Sequence, residues 1–192
     1  MTETLKIPAN TLHLAETASW RALLTEAQYC SGLSIDPDIE DHIVSLLYRH
    51  LGVSKTEVGA SLSDFESLRQ LSSKSSIAQC EVGDHALLFA GLFPESAIRQ
   101  GIPLSSIVTL GQNAYRQHSD NHGSGFHRLM SELFVMCVDV LQTARVIEHG
   151  VSCIDGLNAY GLWAQLGSVH GWQVLRALTD ALPAPIPADV LH

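Results

Sequence analysis

Positive charge is what this chain most lacks. It has 11 lysines and arginines against 20 aspartates and glutamates, a net charge of −9 and no basic run. Nucleic acids and anionic membrane surfaces are recognised through basic patches, so neither is an expected partner. Charge of either sign is scarce. Charged residues make up 16% of the chain, where a soluble domain carries roughly 25%. Hydrophobic residues make up 46%. A surface so poor in charge suits contact with another copy, and a homodimer is the simplest such assembly.

Other absences narrow the reading further. The four cysteines, Cys30, Cys80, Cys137 and Cys153, are widely spaced and form no paired zinc-type or thioredoxin-type motif. Three of them have apolar or small neighbours, which points to buried thiols that act as small hydrophobes. No apolar run approaches the roughly 20 residues of a membrane helix. The opening residues, MTETLKIPANTLHLAE, have no basic start followed by an apolar block, so no signal peptide is expected and the cytoplasm is the expected location. No glycine-rich phosphate loop stands between a strand and a helix. Strand-like alternation and internal repeats are also missing, which argues for an all-α fold.

What is there reads as helix after helix. The 192 residues suit one domain, a bundle of about seven helices over 1–182 with a proline-rich tail at 183–192. Apolar positions over 12–30 share one face. Asp36-Pro37 opens a helix whose buried stripe is Ile39, Ile43, Leu46, Leu47 and Leu51, ending at Gly52. Ser54 with Glu57 and Ser63 with Glu66 are capping-box pairs for two short helices. A helix over 76–93 is apolar nearly all round and stops at Pro94, which marks it as the central buried element. Further helices are expected over 104–121, over 126–148 and from Asp155 to about 182. The last of these carries Tyr160, Ala164, Gly167, Ser168 and Gly171 as a small-residue stripe, read as a packing or dimer surface.

The candidate site lies at the start of the central helix. Glu81, Asp84 and His85 project to one side of it, and buried ionisable groups persist only when paired, hydrogen-bonded or bound to metal. His118 and His122 stand one turn apart on the expected inner face of 104–121. Carboxylates and imidazoles at these spacings on facing helices could hold iron, manganese or zinc, with an open position for water or oxygen. That set supports one reading, a metal-dependent helical-bundle enzyme. Asp139 falls among polar neighbours on its helical wheel and is expected to be solvated. Ser124, in HGSGFH, resembles a nucleophile turn but has no preceding strand, so it is set aside.

The segments GDHALLFAGLFPE at 83–95 and GQNAYRQ at 111–117, with a looser echo at WAQLGS, resemble an uncharacterised family of bacterial all-helical proteins of similar length. The resemblance implies a single helical domain and no particular activity. It draws Asp84 and Tyr115 together as a binding pair on facing helices. The leading functional expectation is a homo-oligomeric binding or interaction protein, with the metal enzyme as the alternative.

Overall fold

The computed structural model describes residues 9–51 and 76–179. Among these residues there are nine helices and no strand, an all-α helical bundle. They are α1 (Ala9–Ser31), α2 (Pro37–Leu51), α3 (Ser76–Leu92), α4 (Pro94–Arg99), α5 (Leu104–His122), α6 (Gly125–Glu132), α7 (Phe134–His149), α8 (Gly156–Leu166) and α9 (Val169–Leu178). No helix among the described residues is long and apolar enough to cross a membrane. The helices expected to open at Ser54 and Ser63, and the tail at 183–192, lie outside the described residues.

The central helix is central because from Ala86 onward it has no polar side chain to offer solvent. From Ala86 to Ala90 every side chain of α3 is buried. The helix packs chiefly on α5 and also on α7, while α1 lies across α7 and α2. Ile39, Ile43, Leu46 and Leu47 of α2 are fully buried, as their spacing predicts. Asp36 caps α2 by accepting the Asp38 N–H at 2.9 Å, with Pro37 at the first helical position.

Two long helices expected from periodicity are each divided. The 126–148 segment bends at Leu133, whose φ and ψ of −97° and 8° leave the helical range. The bend seats the Phe134 ring against Gly111, where no Cβ stands in its way. The segment after Asp155 ends at Gly167, where φ is +73°, a conformation that costs glycine little. Ser168 then caps α9 by accepting the Gly171 N–H at 2.9 Å. The small-residue stripe therefore does not form one face of one helix. A Cβ on Gly171 would lie 2.7 Å from the Ala159 carbonyl oxygen, so this glycine serves the close crossing of α8 and α9 within the chain.

The cysteine expectation needs correction as well. Cys137 is buried, Cys30 is exposed, and Cys80 and Cys153 are partly exposed.

Candidate functional site

Asp84 is the acid that the apolar run isolates, and the fold brings three partners to it. It lies on α3 with 7% of its surface exposed. Tyr115 of α5, fully buried, donates its hydroxyl to Asp84 Oδ1 at 2.5 Å. His42 of α2 places Nε2 3.0 Å from the same oxygen, and Arg49 of α2 reaches Oδ2 at 3.7 Å. A carboxylate only accepts, so His42 donates from Nε2 here. Gly83 makes the approach of α3 and α5 possible, since a Cβ there would sit 2.6 Å from the Tyr115 ring.

The electrostatics follow from these contacts. Burial alone would raise the Asp84 carboxyl. The hydrogen bonds from His42 and Tyr115, with the charges of His42 and Arg49, overcome it and hold the carboxyl below its usual range. Burial, then the Asp84 charge, pushes the Tyr115 phenol well above its usual value. Asp84 is thus a charge bound into the fold by three helices.

A second constellation adjoins it. Cys80, one turn before Asp84 on α3, places its sulfur 3.2 Å from Nε2 of His127 on α6. The other ring nitrogen, Nδ1, is 2.7 Å from Ser124 Oγ. Ser124 is also the N-cap of α6, accepting the His127 N–H at 3.4 Å. Ser119 Oγ donates to the Ser124 carbonyl at 2.8 Å and steadies the loop. The His127 ring packs beside Tyr115, His118 and Phe126.

The remaining candidates scatter. Glu81 is exposed. His85 is partly buried and faces the His50 ring at 5.3 Å; burial lowers both imidazoles. His118 is partly buried and His122 exposed, their rings stacked in parallel at 4.6 Å. Ser119, rather than His122, continues the buried face of α5. The Glu81, Asp84, His85, His118 and His122 set is therefore not assembled. Among the described residues, no group of three or more His, Cys, Asp or Glu could hold a metal ion.

Asp139 is the clearest reversal. It is 2% exposed, accepting the Ser168 hydroxyl at 2.6 Å and the Val169 N–H at 2.7 Å. Its polar wheel neighbours Gln142 and Thr143 are buried too, Gln142 donating to the Ala90 carbonyl of α3 at 2.9 Å and Thr143 to the Asp139 carbonyl at 2.8 Å. His42 escaped the sequence reading, and His127 entered it only beside Ser124 in the HGSGFH turn that was set aside. The Ser124 to His127 spacing of a capped first turn was the one available signal for the second constellation.

The fold defines the class, an all-α helical bundle. No family model, curated protein or solved structure matches this chain.

Proposed function

We propose that this is a homo-oligomeric interaction protein of the cytoplasm, acting by binding rather than turnover, and that two copies meet across the outer face of α8. The observation that carries the reading is Leu157, a large apolar side chain left 82% exposed on that helix. It borders a groove of about 540 Å³ that Ile98, Ile102, Pro103 and Tyr160 also line. Asp155 is the one charged residue in the lining, and it is occupied in capping Asn158. A charge of −9 on each copy opposes self-association, and a face with so little charge is where that repulsion is least, so it is where a second copy would dock. Four free cysteines suit a reducing compartment. The metal-enzyme alternative has no ligand set among the described residues to rest on.

Light scattering coupled to size-exclusion chromatography tests the reading. The expected result is a dimer that Leu157→Asp converts to a monomer with its helical signal intact. A wild-type monomer at high concentration overturns the proposal. A dimer indifferent to Leu157→Asp removes the α8 face from it.

A further inference from the structure

Beyond self-association, the Cys80, His127 and Ser124 constellation has the parts of a nucleophilic site. We propose that Cys80 is a nucleophile served by His127 as general base, and that it accepts the acyl group of small, uncharged activated esters. The signature of an activated nucleophile is a base within hydrogen-bond reach, itself oriented by a third group. All three are present, at 3.2 Å and 2.7 Å.

The contacts accommodate the tautomer that a general base needs. Ser124 Oγ already accepts the His127 main-chain N–H as the cap of α6. It can also accept Nδ1–H, which leaves the Nε2 lone pair directed at the thiol. Ser124 is thus a positioning residue. Burial, with His118, His42 and His122 nearby, outweighs the Asp84 charge and lowers the His127 imidazole, which keeps it in the neutral, basic form. Burial, with the Asp84 charge, pushes the Cys80 thiol up to about 11. The resting pair is thiol and imidazole, so reaction depends on proton transfer to His127 as the sulfur attacks.

The balance closes without a further reactant. The Cys80 S–H proton passes to Nε2, and the S–C bond forms at the ester carbonyl. The C–O bond then breaks, and the proton leaves with the alcohol or phenol. The negative charge of Asp84 and Glu81 near the sulfur outweighs the opposing charge of Arg49 and disfavours anionic donors. The partial burial of Cys80 limits the donor's size.

p-Nitrophenyl acetate and the full chain provide the test, with acetylation at each cysteine followed by peptide mass spectrometry. Exposed Cys30 is the internal control. At about pH 7, Cys80 is expected to acetylate at least about tenfold faster than Cys30, and His127→Gln to remove about tenfold or more of that rate while Cys30 is unchanged. A Cys80 rate no greater than that of Cys30 overturns the proposal, as does a rate that His127→Gln leaves intact. The wild-type pH profile decides even if that variant does not fold. Base catalysis by His127 gives a Cys80 rate that rises across the imidazole range and is level above about pH 7. A rate that instead climbs about tenfold per pH unit through pH 9 shows a free thiolate reacting and sinks the base assignment.

Discussion

Asp139 on α7 holds the first turn of α9 through the hydroxyl of Ser168, 2.6 Å away. Ser168 in turn accepts the Gly171 N–H, so an acid from one helix, through a serine, satisfies the start of another. These hydrogen bonds favour the carboxylate, but burial outweighs them and raises the Asp139 carboxyl from 3.8 to about 6. A raised carboxyl stabilises the fold fully at low pH. That contribution, about 3 kcal/mol for a shift of this size, is lost as pH rises from about 4 through about 6. Asp139→Asn removes the titration. Urea unfolding from pH 4 to pH 7 is therefore expected to show the variant gaining on wild type as pH rises. A difference that stays constant with pH refutes the assignment.

His170, at the same helix start, carries the opposite slope. Burial lowers its imidazole from 6.5 to about 4. Its contribution is complete above about pH 6.5 and is lost as pH falls towards 4, again by about 3 kcal/mol. The two residues therefore oppose one another over one pH window, and wild type is expected to be flatter there than either single variant. His170→Gln should lose ground to wild type as pH rises, the mirror image of Asp139→Asn. Matching curves for the two variants would exclude this account.

Tyr115→Phe tests whether Asp84 is fixed in the fold by the contacts described. The substitution removes the shortest bond to the carboxylate and leaves His42 at 3.0 Å. Losing one hydrogen bond to a charged group costs about 2 kcal/mol at neutral pH. The Asp84 carboxyl is lowered, so its stabilisation is present above its ordinary pKa and is lost as pH falls through the lowered value. The penalty of Tyr115→Phe should therefore be larger at about pH 7 than at about pH 3. Equal penalties at both would mean that the carboxylate charge contributes nothing to the contact.

The contrast between Asp84 and Asp139 shows what the chain discloses before it folds. Both are acids in apolar strings. Asp84 opens a run that is apolar nearly all round from Ala86, so its burial could be read from the pattern, whereas its pairing with Tyr115 of α5 was drawn only from the resemblance of the two segments. Asp139 has Gln142 and Thr143 beside it on the wheel, and that wheel predicts exposure. It carries no trace of Ser168 and Val169 closing on Asp139, or of the Ala90 carbonyl of α3 accepting from Gln142, because the helix break at Gly167 and the packing of α3 on α7 are tertiary choices. The same limit hid His42, which adjoins an apolar stripe, and the pairing of His127 with Cys80, 47 residues away in the chain. It also explains the scattered metal candidates: spacing put His118 and His122 on one face, but their rings stack rather than converge.

Close helix approach was legible at Gly171, which the small-residue stripe includes, but not at Gly111, and Gly111 offers a test with a definite sign. In an exposed helix, glycine to alanine stabilises by about 1 kcal/mol. At Gly111 the new Cβ would fall on the Phe134 ring and 2.9 Å from the Ala86 Cβ, both within the core. Overpacking of this kind costs about 1–3 kcal/mol and more when backbones must part, so Gly111→Ala is expected to destabilise by about 2 kcal/mol net. Gly125, the first residue of α6, has nothing within 4 Å of its Cβ position. Gly125→Ala should be neutral or stabilising by about 0.5 kcal/mol. Chemical denaturation of the two variants beside wild type gives the comparison. If Gly111→Ala proves as stable as Gly125→Ala, then α3, α5 and α7 are not packed at the distance described, and the Phe134 ring does not lie where the bend at Leu133 puts it.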